Sequence, residues 1–443
     1  MGTISYTLEI GEHEILKKSF ITIPPALHYR RYALLWGGLL ISVTGTQMQL
    51  WGLFWHIRSL TDQPIAISGI GLVRVVPVVI FSLLAGVAAD RYNRRSLIFI
   101  TQTIMMLAAL TLGLLTLWGH IQIWHIYLLT GIQAMAGSFD GPARQSLVPN
   151  LITRSEDLSS AFSMNSIAQD LGAIIGPALS GLVISYFGQY EVYILNTISF
   201  LAVILALLLM GPVPQQIQSK TQTSGFSMFS SIKEGIQYIF NKPIILSSML
   251  LDFWATFFSS ANTLLPFIAR DILHVGVIQY GWLSASQSIG GVIADFILSQ
   301  RRKIRRQGVL LLTAVTFFGV ATILFGISRV FWLTMLALAG VGAADAVSTI
   351  LRNTIRQLQT PDYIRGRMTA VNQIFFMGGP QLGEIESGLV AQAFGTPIAI
   401  ISGGIGCVVA MALISLRWPV LRKYNGDEPI IAGSNNAAPA SLE

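Results

Sequence analysis

Apolar residues run along this chain in long blocks separated by short polar breaks. The blocks lie at roughly 32–57, 67–89, 96–118, 123–148, 159–187 and 190–211, and again at 244–270, 278–299, 308–327, 330–353, 367–393 and 397–416. An α-helix needs about 20 apolar residues to cross a hydrocarbon core, and each block is near or above that length. A polar stretch, 212–243, carries Gln215, Gln216, Gln218, Lys220, Lys233 and Glu234 and divides the blocks six and six. The pattern predicts an all-α membrane protein of twelve transmembrane helices. Its divisions are an N-terminal segment (1–31), a six-helix bundle (32–211), a central loop (212–243), a second bundle (244–416) and a tail (417–443).

The two halves repeat each other. Gly86-Val87-Ala88-Ala89-Asp90 recurs 205 residues later as Gly291-Val292-Ile293-Ala294-Asp295, and Asp140 and Asp345 keep that spacing. At an offset of 207, Asn165 meets Asn372, Gly172 and Gly176 meet Gly379 and Gly383, Ser180-Gly181 meets Ser387-Gly388, and Phe187-Gly188 meets Phe394-Gly395. Apolar composition alone does not produce ordered matches of Gly, Asn, Asp and Ser. The prediction sharpens to two pseudo-symmetric bundles, an architecture of transporters whose substrate site lies where the halves meet.

Composition agrees with a lipid solvent. The hydrophobic set makes up 53% of 443 residues and charged residues only 11%, against about 25% charged in soluble domains. This argues against a cytosolic enzyme, a disordered scaffold or a free nucleic-acid binder. The net charge of +7 has a topological explanation. With an even number of spans, only Arg58, Arg270 and Arg329 fall in loops opposite the termini, and Arg74 lies within a span. The other 24 of the 28 basic residues share one side, which the positive-inside rule makes cytoplasmic. Both termini are therefore expected in the cytoplasm. The single cysteine, Cys407, allows no intrachain disulfide, and the scattered histidines suggest no metal site. No phosphate-binding loop for ATP is visible.

Two six-helix repeats with Gly86-x-x-x-Asp90-Arg91-x-x-Arg94-Arg95 between the second and third spans resemble the major facilitator superfamily. The resemblance covers about 32–416. Asp140-Gly141-Pro142-Ala143-Arg144, Gln359-Thr360-Pro361 and Gly366-Arg367 are similar to the branch of enterobactin exporters and macrolide-efflux proteins. The resemblance implies the major facilitator fold and a cytoplasmic latch of Gly86, Asp90, Arg91, Arg94 and Arg95, with Asp140 engaging its arginines. The second copy keeps Gly291, Asp295 and Asp345, but Phe296 replaces the arginine. Asp345 has the later cluster, Arg301 to Arg306, as a possible partner. A purely topological role for these basic clusters is the alternative.

Gly172-x-x-x-Gly176-Pro177-x-x-Ser180-Gly181 resembles the antiporter motif of exporters. Physically it is a smooth helix face with a proline-weakened hydrogen bond, open either to bundle movement or to close packing alone. The fourth span reads Gly131-Ile132-Gln133-Ala134, where the family often has a coupling arginine.

Charges within spans are costly and usually face the protein interior or water. Arg74, Asp170, Asp252, Glu384 and Glu386 are the coupling candidates, with a carboxylate tied to a local polar group as the alternative. Arg74 and Glu384 each lie roughly 12–14 Å below the outer surface. The fold that the resemblance implies sets their helices face to face, so they are expected to pair when the outer side closes. Gln47, Trp51, Trp254, Asn262, Gln287 and Asn372 are cavity candidates. Their mix of aromatics and amides suits a bulky amphiphile, although the tryptophans also suit lipid-interface anchors.

The expected function is export of an amphiphilic small molecule, such as a siderophore or drug, by alternating access, with a proton gradient and no cofactor. A monomer in a bacterial inner membrane is expected, with lipid and substrate as partners and no nucleic acid. A facilitator or importer of the same fold is the first alternative, and a non-transporting receptor or membrane enzyme the second.

Overall fold

The computed structural model describes residues 24–215, 234–301 and 304–426. The terminal segments, most of the central polar stretch and the Arg302-Lys303 pair lie outside the described residues, as does the side chain of Asp90. Long helices account for almost everything else, and no strand occurs among the described residues.

The first helices are α1 (Arg30–Leu60), α2 (Pro64–Arg91), α3 (Arg94–Leu117), α4 (Ile123–Leu151), α5 (Leu158–Tyr186) and α6 (Gln189–Met210). A short helix at 234–241 leads into α7 (Pro243–Ser259). Then come α8 (Val277–Ser299), α9 (Gln307–Ile327), α10 (Phe331–Leu358), α11 (Asp362–Phe394), α12 (Thr396–Arg417) and the short α13 (Pro419–Lys423). By length and hydropathy, eight stretches of the described residues suit a membrane crossing. Large apolar side chains such as Val79, Leu209, Trp332 and Leu416 stand exposed on the outside, as lipid-facing residues do.

Local chemistry sets the helix ends. Prolines open α2, α7 and α13 at positions where the missing N–H costs nothing. Asn93 caps α3 by accepting from the Ser96 N–H at 3.1 Å, which makes the turn after α2 sharp. The repeated Phe-Gly pairs act alike. Gly188 (φ 107°) ends α5 and starts α6, while Gly395 (φ 92°) ends α11 and starts α12. Only glycine takes that backbone readily, so the repeat in sequence is a repeat in geometry.

Packing sorts the helices into two sets. In the first, α1 lies against α5 and α6, and α4 against α2 and α3. In the second, α10 lies against α8 and α9, and α12 against α9 and α7. The sets meet along two seams, α2 with α11 and α5 with α8. One end of the molecule bears residues 24–30, the α2–α3 turn and α13, and is called the basic face below. The other, bearing the α1–α2 turn and the start of α8, is the far face.

Amide side chains lock the first set. Asn196 donates to Gln49 at 2.7 Å, Gln49 to Gln133 at 2.7 Å, and Gln133 to the Met105 carbonyl at 3.2 Å. Helices α6, α1, α4 and α3 are thereby joined through one buried chain of hydrogen bonds. Gln133, in the region where the resemblance leads one to expect a coupling arginine, serves this internal network.

Candidate functional site

The seams are tight near the far face. Ideal Cβ atoms on Gly181 of α5 or Gly281 of α8 would meet the other helix's backbone, because the two glycines lie against each other. Gly388 of α11 abuts Ser68 of α2, and Gly71 of α2 abuts Gln381 and Glu384 of α11. Ser68 Oγ is 3.5 Å from Thr263 Oγ1, and Tyr280 donates to the Trp51 carbonyl at 2.9 Å. These contacts use the far-face portions of α1, α2, α5, α8 and α11 and the turn after α7. Toward the basic face the same helices expose Leu84, Phe162, Ile167 and Ile293, and nothing lies within 4 Å of a Cβ at Gly86 or Gly141. The close contacts between the halves thus gather at the far face.

An ion pair ties the shut end. Arg58, at the end of α1, donates to Asp271 of the other half at 2.7 Å and also binds Asp62 on its own side. Its guanidinium sits 4.9 Å from the Phe267 ring centroid. Its side chain is only 9% exposed, so much of its hydration is replaced by these partners. Asp271 lies where α7 continues irregularly. After Ser259 the chain makes a tight turn at Asn262–Leu264 and then a wide helical turn at Ile268–Ile272, in which the Leu273 N–H bonds back to Ile268 at 2.9 Å.

Sequence reasoning assigned the cross-half pair to Arg74 and Glu384. Among the described residues no ion pair joins them. Glu384 Oε2 is buried without a hydrogen-bond partner, facing Gly71, and so is Gln381 Oε1. Arg74, one turn from Gly71 along α2, is within Coulombic reach of the carboxylate. Glu386 is half-buried on another side of α11. Position in a span gave no means of choosing Arg58, which the sequence places in a polar turn with Asp62.

A second group of charges lies within the second half. Asp252 of α7 and Arg352 of α10 are each 1% exposed and 3.1 Å apart. Arg356 approaches Asp252 at 3.4 Å, donates to Asn353 at 2.6 Å and binds Asn372 of α11. Arg352 also stands 3.6 Å from Asp345 and donates to Thr349 at 2.8 Å. This corrects the sequence reading twice. The apolar block 330–353 holds Arg352 and stops short of Arg356, and both count there only among the basic residues of the terminal side, whereas α10 runs to Leu358 and buries both. Asn372, expected to line a cavity, is a partner of Arg356. The signal available was Arg352 and Arg356 at a four-residue spacing, one helix face opposite a buried aspartate.

The latch residues take other partners in this conformation. Asp140 binds Arg144 on its own helix and accepts from Thr101 at 3.0 Å and Gln102 at 2.9 Å. Arg94 donates to Asn150 at 2.7 Å and to the Ser146 carbonyl at 2.9 Å, and Arg95 to the Leu207 carbonyl at 2.9 Å. Arg91 is exposed. Asp345 meets Arg352, and Arg302 and Lys303 of the expected Arg301–Arg306 cluster lie outside the described residues. Asp295 keeps a buried carboxylate oxygen without a hydrogen-bond partner, and Asp170, exposed on α5, is close enough across the seam for the two charges to interact. A Cβ at Gly291 would sit in ordinary contact with Gly342 and Ala346 of α10.

The Gly172 motif divides its contacts. Gly172 and Gly176 admit the α1 backbone and Gln47, so they serve packing inside the first half; Gly181 and the Pro177 carbonyl meet Gly281 across the seam. The cavity candidates also part. Trp51 packs on Tyr280 of the other half, with ring centroids 6.3 Å apart. Gln47, Asn262 and Gln287 are half-buried. Trp254 stacks on Phe258, whose ring packs against Gly406 of α12, and is 39% exposed on that flank.

Two helical sets that touch along paired seams, packed tightly at one end, fit a membrane transporter scaffold. The comparisons agree. A family model described as "Transmembrane secretion effector" matches residues 23–432, and the chain belongs to that family of major facilitator transporters. It is 27% identical to the enterobactin exporter EntS of Citrobacter koseri over 80% of this chain and 83% of that protein. It is 26% identical to EntS of Escherichia coli over the same shares. Among solved structures, a bacterial homolog of the human lysosomal transporter Spinster, inward-facing and unoccupied, matches with a TM-score of 0.68 at 16% identity, covering 91% of this chain and 100% of that one. The relatives and the fold are those of transporters, not enzymes.

Proposed function

We propose that this protein is a twelve-span exporter of an amphiphilic small molecule, a siderophore of the enterobactin kind or a macrolide-like drug, driven by proton antiport. The basic face is then the cytoplasmic one, by the positive-inside rule, and the structure is the state open to the cytoplasm. Similarity to enterobactin exporters supports the substrate class, and the Gly172 motif supports the direction.

The observation that carries proton coupling is the buried, unpartnered Glu384 Oε2 at the far-face seam. An isolated carboxylate without a partner is costly there, and a proton removes the cost. Deprotonation leaves a charge that Arg74 can attract, so the state of Glu384 biases how the seam packs. In the cycle, substrate enters from the cytoplasm, the far face opens, and a proton taken up from outside returns the carrier. On the cytoplasmic side, Asp90, Arg91, Arg94 and Arg95 would then close against Asp140's helix end.

The test is uptake of enterobactin into inside-out vesicles under an imposed pH gradient. An acidic lumen should accelerate uptake, and Glu384→Gln should make the rate indifferent to the gradient. Wild-type flux that ignores the gradient refutes the coupling, and acceleration by the opposite gradient makes the protein an importer.

A further inference from the structure

On the far face, within the second half and off the seams, a depression of about 540 Å³ is lined by Phe267, Asp271, His274, Arg329, Thr396 and Pro397, among others. That volume suits a small organic ligand. Its one carboxylate, Asp271, is engaged by Arg58 at 2.7 Å, so little negative charge is left to attract a cation. The remaining polar groups favour an anion. Arg329 uses Nη1 for the Gly326 and Ser328 carbonyls, at 3.4 and 3.3 Å, which holds the guanidinium in place. Among the described residues its Nε and Nη2 have no partner, nor does the exposed ring of His274. Thr396 begins the 22-residue helix α12, whose N-terminal end adds positive potential. Phe267, Ile272 and Pro397 supply apolar wall.

We infer that this depression is a second ligand site, for an anionic aromatic or amphiphilic small molecule whose anion is held by Arg329 and His274 and whose apolar part rests on Phe267 and Pro397. The site adjoins the far-face tie, since Phe267 also carries the Arg58 guanidinium and Asp271 is shared. An occupant therefore reports on that end of the transporter from outside the path between the halves. The inference does not rest on proton coupling or on the transported substrate.

The experiment is fluorine NMR of 4-fluorobenzoate with the full chain in nanodiscs of neutral phosphatidylcholine, against empty discs. The protein should broaden the signal several-fold more than lipid alone. Arg329→Gln combined with His274→Asn should remove that excess, while Arg270→Gln, an exposed far-face arginine outside the depression, should keep it. Asparagine is chosen because His274 has φ 51°, a backbone that asparagine tolerates. Equal broadening in the double variant, equal broadening of 4-fluorobenzylammonium, or no excess over empty discs would each overturn the site. Both side chains are exposed, and elution of the double variant as a single folded peak separates lost binding from lost structure.

Discussion

Arg58 and Asp271, 213 residues apart, form a 2.7 Å charge-assisted hydrogen bond between the two halves. The contact exists only because the far face is shut. Removing one partner should therefore favour opening there. For Asp271→Asn the loss of about 1 kcal/mol is a shift of about fivefold in the balance of states. A cysteine at Ser68, beside Thr263 in the seam, should react faster with a thiol reagent from the far side. Unchanged labelling would mean that the pair does not hold the gate.

The glycine contacts give predictions of opposite sign at the two faces. At Gly181 a methyl group meets the backbone of α8, which cannot swing aside. Gly181→Ala should lower transport and raise far-side labelling. Gly86 has open space here, so Gly86→Ala should leave this conformation unharmed. Any loss it causes should come from the state in which the basic face closes. Normal transport by Gly181→Ala would show that the α5–α8 contact is not limiting.

Asp252 lies between two buried arginines. Asp252→Asn keeps the shape but leaves Arg352 and Arg356 without their buried counter-charge, a change that typically costs about 3–5 kcal/mol. The variant should melt well below wild type in detergent, and adding Arg356→Gln should recover part of the loss. Melting together with wild type would show that the group is hydrated enough not to need the carboxylate.

Arg74 and Glu384 invite a charge exchange. If their attraction biases the seam, Arg74→Glu with Glu384→Arg should transport better than either single variant. No recovery in the double would leave Glu384 to act through protonation alone, and a fully active Glu384→Arg would remove Glu384 from the mechanism altogether.

Helices and the internal repeat were legible along the chain, because each rests on local chemistry. Runs of apolar residues mark lipid-length helices, whereas some ends were not legible: the block 244–270 reads as one span, but α7 stops at Ser259 and the chain turns at Asn262–Leu264. The repeat even carried over into geometry, with Gly188 and Gly395 in the same left-handed region. Charge scarcity likewise identified the solvent before any fold was known.

Which charges meet could be decided only by tertiary structure. Arg58 looks like an ordinary turn residue until Asp271 is brought to it, and Arg352 and Arg356 look like basic residues near a helix end until α7 presents Asp252. Glu384 was visible as a costly charge, but its lack of a partner depends on how α2 and α11 cross. Burial and pairing are properties of segments far apart in sequence, and small rotations of a helix exchange one partner for another. The amino-acid sequence thus determined which elements form and in what solvent, while packing between the halves determined where the gate, the buried charge group and the unpaired carboxylate lie.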